Sequence, residues 1–215
     1  PERRKPLSFH CALTTRPDVM DFNGIYEELS QRRLALYAPI SYILPSRRRK
    51  YEEMYDTEVS GGGGKLKQID RERNLQGLMV TNLLKRLESS VQSFRLTLES
   101  LQMRHQRTLQ KIEAFRAGGA EALVGDLTEE LEDLEADEDD IDIPDPAEIG
   151  GKVKISLADM DLPSWERELK SDLRHIECLL REMHLVTPEH DAKLQHLKGH
   201  VLAKLAQPIN PANKK

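Results

Sequence analysis

The sequence predicts an all-α protein, an elongated helical bundle or hairpin built on one long helix, with a disordered acidic loop. The first indication is a set of apolar residues repeated every seven positions between residues 80 and 115, typical of a helix that buries one narrow stripe. The second is the composition, 38% hydrophobic, 32% charged and 5% aromatic, which favours helices with one buried face over a large β-sandwich. The third is the scarcity of runs that alternate between apolar and polar residues, as strands do.

Residues 1–60 are predicted to form an N-terminal connector with short helices. The apolar residues permit a short helix over 22–38, whereas Pro39 and Pro45 predict an extended passage between them. Ser46 belongs to a residue type that commonly caps helices, so the next helix is expected to begin there.

A glycine-rich loop is predicted at residues 61–68, where four consecutive glycines precede Lys65. This pattern invites comparison with a phosphate-binding loop. Such a loop needs a Ser or Thr after its lysine to hold magnesium, and this chain has Leu66 at that position. The residues before the glycines are polar and do not read as a buried strand, so the sequence does not predict nucleotide binding here.

One long helix is predicted over residues 69–116, with a length of roughly 70 Å at 1.5 Å per residue. Nine of its eleven seam positions are apolar, which is the pattern of a coiled coil and calls for a partner helix. Gly118 and Gly119 supply its end. The seam positions are Val80, Leu84, Leu87, Val91, Phe94, Leu98, Leu101, His105, Thr108, Ile112 and Phe115.

The formal net charge of −5 hides an uneven distribution of charge along the chain. Residues 1–116 carry 21 Lys or Arg and 14 Asp or Glu, whereas residues 117–150 carry 14 acids and neither Lys nor Arg. Residues 117–151 are therefore predicted to be an acidic low-complexity insert, disordered or loosely held. Two interpretations stay open: a solvating loop, or an internal mimic of nucleic acid that covers the basic helix.

Residues 152–215 are predicted to form a C-terminal helical hairpin that packs on the long helix. Ser164 is expected to cap its first helix, and Thr187 its second, where Pro188 suits the first helical position. Each helix carries an apolar stripe. The two stripes are Trp165, Leu169, Leu173, Ile176, Leu180 and Met183, and then Leu194, Leu197, Val201 and Leu205.

Basic residues outnumber acidic ones along the predicted long helix, which suggests a rod that follows a phosphate backbone. Contact of this kind is indifferent to base sequence. The alternative interpretation is a solvated helix face with ion pairs inside the helix. The candidates for nucleic-acid contact are Arg71, Arg73, Lys85, Arg86 and Arg95.

No catalytic residue and no metal ligand is predicted. His196 and His200 lie four residues apart, but the helix of a zinc peptidase needs Glu after the first His, and Leu197 occupies that place. His175 and Cys178 lie three apart, and such pairs on polar helix faces are more often plain surface residues than metal ligands. No cofactor is therefore predicted for this chain.

Cys11 and Cys178 are the only cysteines, so no disulfide framework is predicted and a cytoplasmic location is expected. No apolar run approaches the roughly 20 residues of a membrane span, and no secretory leader opens the chain, so no membrane partner is expected. The chain starts at Pro1 and stops at Lys215 in a way that suggests a piece of a larger protein.

Three segments resemble a helical region of large bacterial ATP-dependent helicases of the Swi/Snf-like branch, some of which also carry a phospholipase D-like domain. The most specific segment is Lys67–Leu101, with the core NLLKRLESS at Asn82–Ser90. The others are RRKYEEMYDTEVSGG at Arg48–Gly62 and the C-terminal stretch Val186–Lys215. The three occur in the same order as in that family, and together they cover 80 of the 215 residues.

The resemblance implies a position between two RecA-like motor lobes, with the phosphate-binding loop and the acidic magnesium box before Pro1 and the second lobe after Lys215. ATP and magnesium then belong to the parent protein, and no catalytic residue carries over. The expected function is a non-catalytic helical insertion that couples the motor lobes, with those lobes and duplex DNA as partners. The alternatives are a helix-mediated protein–protein interaction or self-association module, and a purely structural spacer.

Overall fold

The computed structural model describes residues 10–58, 65–118, 123–124 and 155–207. These residues confirm the all-α class, because they form six α-helices and two short antiparallel strand pairs. The helices are α1 Phe22–Ser30, α2 Pro45–Tyr55, α3 Gln68–Ser89, α4 Val91–Arg116, α5 Leu162–His184 and α6 Ala192–Ala206. The strands are β1 Thr57–Glu58 with β2 Lys65–Leu66, and β3 Leu123–Val124 with β4 Ile155–Ser156.

Two predicted segments fall outside the described residues, and their predictions stay predictions. They are the glycine run at 61–64 and, within the acidic insert, residues 119–122 and 125–151. The structure does describe the residues that flank each segment. Glu58, before the first segment, pairs with Lys65 after it, and Val124, before the second, pairs with Ile155 after it.

The prediction of one long helix over residues 69–116 is wrong, because the helical backbone is interrupted at Ser90. This residue is extended, with φ −162° and ψ 137°, and separates α3 from α4. Its hydroxyl oxygen accepts hydrogen bonds from the backbone N–H groups of Gln92 (3.1 Å) and Ser93 (3.4 Å). A side chain that satisfies two first-turn donors is an N-cap, so Ser90 begins a second helix.

Seven of the eleven predicted seam positions are buried inside this chain, where α4 packs against α5. Phe94, Leu98 and Leu101 are fully buried on α4, and Trp165 and Leu169 are fully buried on α5. Leu87 and Ile112 extend the same core towards the two ends of the seam. The stripe therefore finds its partner helix within the molecule, and it is not exposed for another subunit.

A short irregular segment, residues 34–40, runs through the core with every residue buried. It consists of the 3₁₀ helix Ala35–Tyr37 and the start of a second, Pro39–Tyr42. The extended passage predicted after Pro39 is therefore wrong: proline suits the first turn of a helix, and Ile43 N–H closes the turn on the Ile40 carbonyl. The unbroken apolar run LALYAPI is the sequence signal for this burial.

The C-terminal hairpin prediction is wrong for its second helix. Whereas α5 buries eight residues, α6 buries none against the described residues. The side chains of its predicted stripe are exposed, from 42% at Leu194 to 73% at Leu205. The core is formed by α3, α4, α5 and the buried segment 34–40 with their neighbours, and no residue of α6 belongs to it.

Candidate nucleic-acid interface and buried polar contacts

The structure removes Arg71 from the candidate phosphate contacts. Its side chain lies in the first turns of α3, where it is only 7% exposed, and its Nη1 donates to the Gln68 carboxamide oxygen at 3.2 Å. Glu72 beside it is also buried. A guanidinium enclosed in this way cannot reach a duplex in solution, so the prediction for Arg71 is wrong.

The four other candidates do not form one continuous stripe. Arg73 and Lys85 are exposed on α3, but at about 100° per residue their twelve-residue separation places them about 120° apart around the axis. Arg86 and Arg95 are partly exposed, and the break at Ser90 separates them. Arg95 donates to the Gln92 carboxamide. Any phosphate contact would therefore involve a scattered basic surface rather than a linear track.

A run of four bases that the sequence analysis did not single out opens α2. Asp159 neutralises much of it, because its carboxylate lies 3.1 Å from Arg47 Nε and 2.8 Å from Lys50 Nζ. Arg49 pairs with Glu53 at 2.8 Å, which leaves Arg48 without an ion pair to any described residue. The run is therefore a structural anchor more than a cationic patch.

Asp159 is the hub of that anchor. The hydrogen bond from Lys50 holds the pKa of the Asp159 carboxyl below its ordinary value. The same carboxylate accepts from the Tyr51 hydroxyl at 2.8 Å, and that hydroxyl accepts from the Ser156 N–H at 3.1 Å. These contacts connect α2 to the chain that leads into α5. Because the oxygens of Asp159 are occupied by three donors, it fits a structural role and not proton transfer.

A cavity of about 210 Å³ lies between α2 and the first turn of α3. Its wall includes the apolar side chains of Ile40 and Ile43, and its charged groups are of both signs. Arg48 and Lys67 are opposed there by Glu52 and Asp56. A cavity with balanced charge does not favour phosphate or any other highly charged ligand.

Three buried polar side chains hold the irregular core segment in place. The Asp172 carboxylate accepts from the Ala35 N–H at 2.7 Å, and Trp165 Nε1 donates to the Ala35 carbonyl at 3.0 Å. The Glu72 carboxylate accepts from the Ile40 N–H at 3.0 Å. A 3₁₀ segment leaves backbone groups without local partners, and these side chains satisfy them inside the core.

Burial shifts the titration of these groups. It raises the pKa of the Glu72 carboxyl well above its ordinary value and raises that of Asp172, although the Ala35 N–H and the nearby His105 oppose the second shift. Burial also lowers the pKa of His105, whose Nδ1 lies 2.8 Å from the Leu101 carbonyl oxygen. Because a carbonyl oxygen can only accept, Nδ1 of His105 donates in this hydrogen bond.

The described residues do not bring together a metal-binding group of three or more His, Cys, Asp or Glu side chains. The rings of His196 and His200 lie 4.6 Å apart in an edge-on arrangement on α6. Cys11 and Cys178 are both free thiols. The carboxylates of Glu72 and Asp172 and the Nδ1 of His105 each bond to a backbone group, so they anchor the backbone of the core.

The segment that leads into the bundle lies beside the segment that leads out of it. Thr14 forms an isolated β-bridge with Asp191, and Thr15 N–H donates to the His190 carbonyl at 2.9 Å. A little further along, Met20 N–H donates to the Glu182 carboxylate at 2.9 Å. Residues 14–20 and 182–191 are thereby joined, although more than 160 positions separate them in the sequence.

Within the part of the chain that the structure describes, no helix combines the length and the apolar character needed to cross a membrane. Comparison of the chain with known protein families, with curated proteins and with solved structures finds no significant match.

Proposed function

We propose that this chain is a non-catalytic helical insertion of an ATP-dependent DNA helicase or translocase, where it couples the two motor lobes. The proposal starts from the three segments that resemble this region of Swi/Snf-like helicases. One covers most of α2, another covers α3 with the first part of α4, and the third contains α6. The first two supply core residues, among them Tyr51, Leu83 and Phe94, so the resemblance falls on the framework of the bundle.

The observation that carries the proposal is the junction between residues 14–20 and 182–191. A domain inserted into another protein needs its incoming and outgoing segments close together, so that the host is not pulled apart. A bundle closed by backbone hydrogen bonds at that junction moves as one piece relative to its host. This suits an element that passes the motion of one motor lobe to the other.

Reading the coding sequence on both sides of this chain tests the proposed context. We expect a phosphate-binding loop and an acidic magnesium box before Pro1, and a second RecA-like lobe after Lys215. Unrelated domains on both sides would contradict the proposal.

The DNA contact is a separate part of the proposal and rests on Arg73, Lys85, Arg86 and Arg95. Fluorescence anisotropy of labelled duplex DNA across a salt series measures it. We expect binding at low salt that weakens as salt rises, because phosphate contacts release counterions. The double variant Arg73→Glu/Lys85→Glu should bind about tenfold more weakly and show a shallower salt dependence.

The matched control is Arg167→Glu/Arg181→Glu, which makes the same change of charge at exposed positions on α5. It should bind DNA more tightly than the α3 double variant. Absence of binding at low salt, affinity that does not change with salt, or equal losses in both double variants would remove the DNA-contact role.

A second candidate function, a helix-mediated protein–protein interaction module, is favoured by α6. The seam of α3 and α4 cannot serve this purpose in the folded chain, because Leu87, Phe94 and Leu98 are buried. By contrast, α6 leaves its apolar stripe exposed. An exposed stripe of this kind is typical of a helix that docks on a partner.

A further inference from the structure

The apolar stripe of α6 and Leu202 beside it form one exposed face. Leu194, Leu197, Val201, Leu202 and Leu205 are 42%, 59%, 48%, 55% and 73% exposed. At about 100° per residue they fall within about 140° of the helix circumference. A face of this width is typical of an amphipathic helix that packs on an apolar surface, and no residue of α6 is buried against the described residues.

Lysines accompany the apolar face of α6. Lys193 and Lys204 lie along one edge, and Lys198 lies between Leu205 and Leu202, by the same helical geometry. Residues 192–206 contain no Asp or Glu. The surface that matches this one is therefore an apolar stripe accompanied by carboxylates, because charges of opposite sign beside the apolar contact determine which helices pair.

Two other occupants fit the stripe less well. A second copy of α6 would bring three lysines against three lysines, and like charges beside a seam oppose pairing. Helices that lie on membranes usually insert a broad apolar face with Trp or Phe, and α6 has neither residue.

We propose that the stripe of α6 is a docking site for an acidic amphipathic helix of another protein. This rests on the second candidate function and is independent of the helicase context. The helix is held at its base: the Asp191 side chain caps it by accepting from Leu194 N–H at 2.8 Å, and Lys193 Nζ donates to the Glu88 carbonyl. A docking helix that is already ordered loses less entropy on binding.

The test uses the full chain and a synthetic acidic peptide of about three heptads, with Leu at the a and d positions and Glu at e and g. Binding is measured by fluorescence anisotropy of the labelled peptide. We expect binding that weakens with salt and falls at least about tenfold in Leu197→Glu and in Val201→Glu. Lys198→Glu should also weaken binding, because it places a negative charge against the carboxylates.

The matched control is Ala203→Glu, an exposed position about 160° around α6 from Val201, and it should bind the peptide more tightly than either stripe variant. Because none of these residues is buried, all variants should keep the thermal unfolding midpoint of the wild type. Absence of peptide binding at low salt, or equal losses in Leu197→Glu and Ala203→Glu, would overturn the proposal.

Three further outcomes would assign the stripe to another occupant and overturn the proposal. The first is a dimer in light scattering that Leu197→Glu dissociates. The second is binding to vesicles of anionic phosphatidylserine but not to the peptide. The third is peptide binding that appears only after the acids of residues 126–140 are changed to amides, since the chain's own insert would then occupy the stripe. This last outcome would leave the helicase proposal intact, and DNA binding without peptide binding would separate the two in the same way.

Discussion

The two C-terminal helices carry similar apolar stripes, yet only one of them is part of the core. Along α5, Trp165 and Leu169 are fully buried and the Asp172 carboxylate bonds to the backbone of the buried segment. Along α6, the corresponding leucines are exposed. The comparison teaches that a periodic stripe predicts a helix and a surface that can be covered, but not which surface covers it.

Length contributes to the difference between these helices. α5 has 23 residues and fills the space against α4, whereas α6 has 15 residues, near the length at which an isolated helix is only marginally stable in water. Its cap and its contact with Glu88 hold only its first turn. We therefore expect α6 to open locally more readily than α5.

The largest expected effect is a loss of stability when the contact between α4 and α5 is weakened. Phe94→Ala removes a fully buried ring between α4 and α5, and should lower the free energy of unfolding by about 3–5 kcal/mol. Leu197→Ala removes an exposed side chain of α6, and should change it by less than about 0.5 kcal/mol. Urea denaturation followed by circular dichroism measures both, and similar losses would show that α6 packs on the core.

The second expected effect is a pH dependence of stability that comes from the buried His105. His105 has a lowered pKa, so as pH falls below the ordinary value of 6.5 the unfolded chain takes up a proton that the folded chain resists. The free energy of unfolding of the wild type should therefore decrease, relative to that of His105→Leu, as the pH decreases. Urea midpoints of both proteins between about pH 8 and pH 5 measure this, and a constant difference would contradict it.

Glu72→Gln is the control of opposite sign. The raised pKa of the carboxyl means that the folded chain keeps a proton that the unfolded chain loses above the ordinary value of 4.5. Wild type should therefore lose stability relative to Glu72→Gln as pH rises, while the amide oxygen still accepts from Ile40 N–H.

The smallest expected effect sharpens the description of α6. Gly199 lies in the middle of this helix, and a Cβ built there meets no atom within 4 Å. Gly199→Ala should stabilise α6 by about 1 kcal/mol, because glycine is a poor helix former. Hydrogen exchange of the α6 amides should slow while global unfolding in urea stays the same. A rise in global stability would instead show that α6 unfolds together with the core.

Much of the core was predictable from the sequence, and the break in its main helix was less so. Seven-residue spacing identifies Phe94, Leu98 and Leu101 as buried, and all three are. The same spacing runs through Ser90 without interruption, which hides the end of α3. Two consecutive serines in a leucine-rich run were the available signal, since serine favours caps over helix interiors.

The candidate site was less predictable than the core. Arg71 and Arg73 are both arginines on α3, yet Arg71 is buried and Arg73 is exposed. The difference comes from the buried segment, which packs against the first turns of α3. Charge in a sequence therefore identifies candidates for contact with phosphates. It does not say which of them face water, because burial depends on residues that are distant along the chain.

The sequence by itself determined the helical class, the apolar stripes and the segregation of acidic charge, because each depends on spacing or composition within a single stretch of chain. Only the tertiary structure decided that residues 34–40 fill the centre, that Asp172 and Glu72 bond to them, and that α6 stays uncovered. The physical reason is that one core can bury the apolar faces of only a limited number of helices. Which stripes occupy it depends on how all the helices fit together.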